Sequence, residues 1–200
     1  MSLYPFNTNL AREAQSDVPT VRTNLMSVVR RALGSPTVDD PDFLVAAATA
    51  MKVGAYTLLH TTLDVPRNVT VTQAIVAAGA DTMGTIDIVG TDIDGQSLLE
   101  TITPVGDSLV AGTKAFKTIV SITGVGWVIA GGNDTLQIGV GGLIGLPDKA
   151  PANTVLLATL NGVREATAPT VTFSDTVLAL NTVDFNTAWG GTAAVVYYIA

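Results

Sequence analysis

From residue 84 onward, apolar positions recur at every second residue. Ile86 and Ile88 alternate with polar neighbours, and Leu98 and Ile102 do so again after a short gap. The gap holds Asp92-Ile93-Asp94-Gly95. Asp opens a type I turn, and Gly closes it in the left-handed conformation as a bulge. That turn sets Ile86 opposite Ile102 and Val89 opposite Leu99, so apolar residues meet across a hairpin. A plain two-residue Asp-Gly turn would instead set Ile86 against Thr103 and Val89 against Glu100. The bulged register is therefore expected. Further on, Phe116, Val120 and Ile122 fall on one face at period two, with Lys117, Ile119 and Ser121 on the other. One dry face and one wet or shared face describe an antiparallel sheet.

The same reading extends along the chain. Residues 56–63 and 67–76 are strand candidates on either side of Val65-Pro66. Gly131-Gly132-Asn133-Asp134 is a turn between 127–130 and 135–140, where Leu136, Ile138 and Val140 alternate cleanly. Asn161-Gly162 is a two-residue hairpin signal between 155–160 and 163–167. Segments 171–173, 177–180 and 193–199 close the chain. Ten or more short strands at roughly even spacing predict a mainly β protein: an antiparallel sandwich, jelly roll or barrel.

Residues 1–50 read differently. Residues 1–16 are polar and predict an arm without a core of its own. Val18, Val21, Leu25, Val28, Val29, Ala32 and Leu33 follow helical spacing, and Gly34 and Pro36 would stop that helix. Its polar side would carry Arg22, Arg30 and Arg31, either as a solvated face or as a contact with an acidic patch on a neighbouring subunit. Residues 43–51 are apolar and Ala-rich and fit helix or strand. The expected division is an N-terminal arm with one short amphipathic helix (1–50) and a β-rich domain (51–200).

Composition narrows the function. Of the 200 residues, 48% are hydrophobic and only 14% charged, against a usual charged share of about 25%. Such a chain has apolar surface to share, which suits a subunit of an assembly. The formal charge of −7 argues against nucleic acid as a partner, because phosphate binding needs a basic face. Cysteine is absent, which removes disulfides, thiolate nucleophiles and cysteine metal sites together. Neither a basic, apolar leader pattern nor a membrane-length apolar run is visible, so synthesis in a cytoplasm and no membrane span are expected.

Candidate chemistry is sparse. His60, the single histidine, lies in a predicted strand and is a poor start for a zinc site without cysteine. Asp92-x-Asp94-Gly95 matches the start of a calcium loop, but Leu98 and Leu99 stand where oxygen donors would be needed. The turn explains both aspartates and the glycine. Gly124-Val125-Gly126 and Gly139-Val140-Gly141-Gly142 lack a following phosphate-loop or dinucleotide pattern and read as bulges and bends. No cofactor is called for, and an enzyme has no positive support. Trp127 and Trp189 are the two indoles that could serve as contact platforms.

Several stretches taken together resemble a family of tailed-bacteriophage structural proteins. They are Asp64-Val65-Pro66-Arg67-Asn68-Val69-Thr70-Val71, Gly90-Thr91-Asp92-Ile93-Asp94-Gly95, Glu100-Thr101-Ile102, Val110-Ala111-Gly112-Thr113-Lys114-Ala115-Phe116-Lys117 and Gly145-Leu146-Pro147. They cover residues 64–147, with a weaker echo at Asn181-Thr182-Val183 and Tyr197-Tyr198. The resemblance implies a β-rich virion component, with some such proteins acting as capsid cement, and it implies no catalytic residues. The expectation is a non-enzymatic decoration protein that binds the major capsid protein on the outer lattice, as a homotrimer. A tail-tube, neck or baseplate subunit is the nearest alternative. A carbohydrate-binding jelly roll for host adsorption comes next, and a polysaccharide depolymerase last. Arg22, Arg30, Arg31, Trp127 and Trp189 are the candidate contact residues.

Overall fold

A computed structural model describes residues 13–15, 22–24, 28–76, 82–129 and 134–199. The chain is a mainly β protein of packed antiparallel sheets, a β-sandwich. Its strands are β1 (Glu13–Gln15), β2 (Arg22–Asn24), β3 (Val28–Gly34), β4 (Asp40–Ala50), β5 (Gly54–Ala55), β6 (Thr62–Ala74), β7 (Thr85–Thr91) and β8 (Ser97–Ile102). There follow β9 (Leu109–Ala111), β10 (Phe116–Val125), β11 (Thr135–Gly145), β12 (Val155–Leu160), β13 (Val163–Arg164), β14 (Thr170–Thr172), β15 (Thr182–Asp184) and β16 (Ala194–Ile199). Among the described residues, β1 and β2 pair with each other and with neither larger sheet. A ten-stranded sheet runs β14-β15-β11-β6-β10-β7-β8, with β4 on β11, β5 on β10 and β9 on β6. A four-stranded sheet runs β13-β12-β16-β3.

Two apolar cores follow from this. The ten-stranded sheet curls over its own inner face, burying Val69 and Val71 of β6, Ile86 and Ile88 of β7, Phe116 of β10 and Ile138 of β11 together. The four-stranded sheet covers the other end: Leu33, Ala158, Val196 and Tyr198 pack on Val65 of β6, Ile144 of β11 and Val183 of β15, with Trp189. β6 and β11 are long enough to serve both cores. Their ladder is regular from Thr135↔Ala74 to Val140↔Val69 and resumes at Ile144↔Arg67 after a bulge.

The expected hairpin is present in the expected register, with Ile86 opposite Ile102 and Val89 opposite Leu99. Gly95 has φ +77°, and its N–H donates to the Asp92 carbonyl at 3.1 Å. Asn161-Gly162 joins β12 to β13 with Leu160 opposite Val163. Leu136, Ile138 and Val140 are all buried.

Three expectations are corrected. The helix over residues 18–33 is not formed where the chain is described. Arg22–Asn24 and Val28–Gly34 are strands, and β3 pairs along its length with β16. Its spacing satisfied both periods, and β-branched Val28 and Val29 beside an open strand edge favour the extended form. Among the described residues the helical element is instead a three-residue 3₁₀ turn, Leu178–Leu180. Residues 28–50, assigned by sequence to the N-terminal appendage, supply β3 and β4 to the two sheets. Apart from the backbone of β1, the arm over 1–16 lies outside the described residues. In β10 the buried apolar side chains are Phe116, Ile119 and Ile122, while Val120 is exposed. Register shifts beside Thr118 and between Ile119 and Ser121 insert an extra residue and exchange the faces.

The turn yields a stability prediction. No atom lies within 4 Å of a Cβ placed on Gly95, so Gly95→Val meets only backbone strain, about 1–3 kcal/mol. Asp92 is buried, and its Oδ1 accepts N–H bonds from Asp94 at 3.0 Å and Gln96 at 2.9 Å. Losing a charged acceptor puts Asp92→Ala at about 1.5–3 kcal/mol, which matches or exceeds the glycine variant. Melting curves with and without a chelator check the assignment. The expected result is two destabilised variants and an unmoved parent; a chelator-sensitive parent would make this turn a metal site.

Candidate functional site

The two long strands carry a polar joint where their cores meet. Arg67 of β6 has no solvent exposure. Its Nε donates to the carbonyl of Gly141 at 2.9 Å, inside the β11 bulge. One terminal nitrogen donates to the carbonyl of Thr37 at 3.1 Å, and the other to Asp39 Oδ1 at 2.6 Å. Asp64 lies 3.7 Å away. Asn68 completes the joint. Its Oδ1 accepts the N–H of Leu143 at 3.0 Å, and its Nδ2 donates to the carbonyl of Gly112 at 3.0 Å. These side chains satisfy backbone groups that the bulge removes from the ladder.

Close approach requires glycine at 141 and leaves little room at 142. A Cβ on Gly141 would stand 2.8 Å from both Asn68 Oδ1 and the Thr70 methyl. One on Gly142 would stand 3.3 Å from Asp184 Oδ1 and 3.4 Å from Asp39 Oδ2. The two carboxylates therefore flank the bulge, no further apart than the sum of those distances. Asp39 is partly neutralised by Arg67. No described hydrogen bond reaches the Asp184 carboxylate, and burial, then the charge of Asp39, pushes its pKa up.

A cleft opens on each side of this ridge. On one side Pro41, Leu109, Val140 and Leu143 line a cavity of about 370 Å³. On the other, Val38, Phe185, Ala188 and Trp189 line one of about 230 Å³. Asp39, Gly142 and Asp184 belong to both. Apolar walls with two acceptor groups between them suit a peptide that brings a cation and aliphatic side chains.

A second surface lies on the outer face of β8-β7-β10. Val89 is opposite Leu99 on β8 and Ser121 on β10, beside the bulged Val120. Leu99 and Val120 are 54% and 66% exposed. Thr85, Asp87, Thr91, Thr101, Thr118 and Thr123 surround them on the same strands; the Thr101 hydroxyl donates to Asp87 Oδ1 at 2.7 Å, and the hydroxyls of Thr91 and Thr118 bond at 2.7 Å.

The five candidate contact residues fall in different places. Arg22 lies in β2 opposite Gln15. Arg30 and Arg31 are consecutive in β3 and point to opposite faces, so they are not one helical stripe. Arg30 is exposed. Arg31 forks onto Asp148 at 2.8 and 3.2 Å, and the Tyr198 hydroxyl donates to the same carboxylate. Burial, then Asp148, pushes the phenol's pKa up. Trp127 and Trp189 are buried, not surface platforms. Trp127 Nε1 donates to the Thr85 carbonyl at 3.1 Å, and Trp189 meets Phe185 edge-on at 5.5 Å. His60 stacks on Phe43 at 4.1 Å, and one ring nitrogen bonds the Phe43 carbonyl at 2.7 Å. Among the described residues no group of three or more His, Asp or Glu could hold a metal ion.

Sequence reading passed over Arg67, Asp39 and Asp184. The available signal was a charged residue inside the apolar run Val65-Pro66-Arg67-Asn68-Val69, since a buried arginine needs acidic partners.

Three variants test the joint. Arg67→Met strands the Gly141 and Thr37 carbonyls and leaves Asp39 and Asp64 without a cation, at a cost of about 3–5 kcal/mol. Arg67→Lys recovers only part of it, because an ammonium cannot reproduce the fork. Burial raises the pKa of Asp64, but hydrogen bonds from the Thr37 and Val65 N–H groups and the Arg67 charge outweigh it, so the net shift is downward. A depressed carboxylate pKa contributes stability at neutral pH that is lost as pH falls through the folded-state value. Asp64→Asn should cost about 1 kcal/mol at neutral pH, discounted for solvent access, and nothing below pKa of the folded carboxylate. Denaturant melts across acid pH read all three; a pH-independent penalty for Asp64→Asn would refute the assignment.

Comparison with protein-family models, with curated proteins and with solved structures gives no match to this chain.

Proposed function

We propose that this chain is a non-enzymatic virion structural protein, a capsid cement protein that binds the major capsid protein on the outer lattice and works as a homotrimer. The observation that carries the reading is the outer face of β8-β7-β10, where Val89, Leu99 and Val120 form an apolar centre inside a rim of threonines and Asp87. An apolar centre with a polar rim is the anatomy of a protein–protein contact. Its position on three hydrogen-bonded strands makes it stiff, so binding there orders little extra backbone. The low charge of the whole chain supports the same reading. The burial of both indoles leaves the carbohydrate alternative without the platforms it needs.

Val120→Asp tests the reading, since Val120 sits outside both cores and its loss leaves folding intact. On particles stripped of the protein, the parent should bind with a copy number that scales with the capsid lattice. Val120→Asp should bind at least tenfold more weakly with an unchanged melting point. A few copies per particle, confined to the tail, would overturn the head assignment; equal binding by the variant would remove this face from the contact. Light scattering at micromolar concentration should show a multimer.

A further inference from the structure

The Asn161-Gly162 turn belongs to neither core, and both of its residues are exposed. Asn161 has φ +49° and Gly162 φ +77°, the two left-handed residues of a type I′ hairpin turn. Among the described residues no hydrogen bond holds the Asn161 carboxamide or the Gly162 N–H. A Cβ placed on Gly162 would meet no atom within 4 Å. An electrophilic side-chain carbon and an uncrowded main-chain nitrogen therefore stand beside each other in water. The other asparagines with described side chains lack this combination. Asn68 and Asn181 are buried and bonded. Asn153 Oδ1 accepts the Val155 N–H at 3.0 Å, and Asn186 Nδ2 donates to the Ala168 carbonyl at 2.8 Å. A β-branched residue follows each of the four (Val69, Thr182, Thr154 and Thr187) and crowds the nitrogen that would have to attack. In Asp94-Gly95, the glycine N–H is committed to the Asp92 carbonyl at 3.1 Å.

We propose that Asn161 is a site of spontaneous modification, converting through a succinimide with Gly162 to aspartate and isoaspartate, and that the isoaspartate form releases β13 from β12. The Gly162 main-chain nitrogen attacks Cγ of Asn161. The N–Cγ bond forms, the Cγ–Nδ2 bond breaks, and ammonia leaves with the proton from the Gly162 nitrogen. Water then opens the imide. Attack at Cγ restores the original main chain and leaves aspartate. Attack at the main-chain carbonyl routes the chain through Cβ and leaves isoaspartate. One water is consumed and one ammonia released. In the type I′ turn the Gly162 nitrogen faces away from the Asn161 side chain. Rotating the 161–162 peptide brings it round and takes Gly162 to negative φ, which is the type II′ turn. Glycine adopts both signs of φ freely. Both turns are two-residue hairpin connections, so Leu160 stays opposite Val163 during the rotation.

Both products add a negative charge to a chain already at −7. Isoaspartate also adds a main-chain atom to a turn whose length sets the register. β13 is held to β12 by two pairs, Thr159↔Arg164 and Leu160↔Val163, so it comes away. Glu165, next in the chain, stays anchored. Its N–H donates to the Ala158 carbonyl at 2.9 Å, and its carboxylate accepts the N–H groups of Asn186 and Thr187. The change is therefore confined to residues 161–164, and both cores are untouched.

The test ages the full chain in neutral buffer, with and without denaturant. In the native protein, peptide mass spectrometry should find the mass gain of an amide turned to an acid at Asn161, as two isomers, and at least tenfold less of it at Asn153 and Asn186. Gly162→Ala, which places a methyl group beside the attacking nitrogen, should slow the conversion at least tenfold. Trypsin should cut the isoaspartate form after Arg164 at least tenfold faster than fresh protein, with the melting point unmoved. Asn161→Asp carries the charge without the extra main-chain atom and should resist trypsin as the parent does. Conversion confined to denatured chains, or equally fast at Asn153 or Asn186, overturns the proposal, as does an unslowed Gly162→Ala. Equal cutting of aged and fresh protein would overturn the release of β13.

Discussion

A fully buried arginine is costly unless every donor finds an acceptor. Arg67 bonds through all three of its nitrogens, to the β11 bulge at Gly141 and to the segment before β4 at Thr37 and Asp39, with the carboxylate of Asp64 on its own strand 3.7 Å away. The two apolar cores cannot fix their own relation, because hydrophobic burial is non-directional. β6 and β11 connect them, and a bulge lies at the junction. A forked, planar donor there sets direction as well as contact. The same demand holds Asp39 at the cleft, so the acidic ridge is a by-product of satisfying a charge in the interior.

What could be read from the sequence was local. Asp92 to Gly95 carries its own turn chemistry, and once that turn is set, pairing from Ile86↔Ile102 to Thr91↔Ser97 follows. The Asn161-Gly162 hairpin and the alternation at Leu136, Ile138 and Val140 are legible for the same reason. Non-local effects were not. β3 adopts a strand because β16 offers an edge 160 residues or more away in sequence, and Val28 to Leu33 fit a helical stripe equally well. In β10, bulges against β6 and β7 turned a period of two into burial of Phe116, Ile119 and Ile122. A bulge depends on the partner strand, so one strand's residues do not announce it.

The candidate site was less legible than the fold. Asp39, Gly142 and Asp184 meet only after β11 pairs with β15, which brings Leu143 opposite Asp184. Their sequence neighbours are unremarkable. The tryptophans misled for a physical reason: an indole buries a large area and needs one acceptor, and the Thr85 carbonyl gives Trp127 that acceptor inside the core.

The free edge of the large sheet limits how copies can meet. β8 is the terminal strand, and an exposed edge invites pairing with another chain. Here Lys114 Nζ donates to the carbonyl of Leu99 at 2.6 Å. Glu100, facing the other way on the same strand, accepts the N–H groups of Thr113 at 2.7 Å and Lys114 at 3.2 Å. The loop at 112–115 is thus tied across the edge, and a neighbour extending the sheet would first have to displace an ammonium from its acceptor. The outer edge of β3 carries Arg30 exposed on one face and Arg31 forked onto Asp148 on the other, so a strand added there would have to accommodate a guanidinium on each face. Both long edges therefore resist sheet extension. Contacts between copies are left to side-chain faces and clefts, where low charge and exposed aliphatic groups favour association without risking an open-ended fibre.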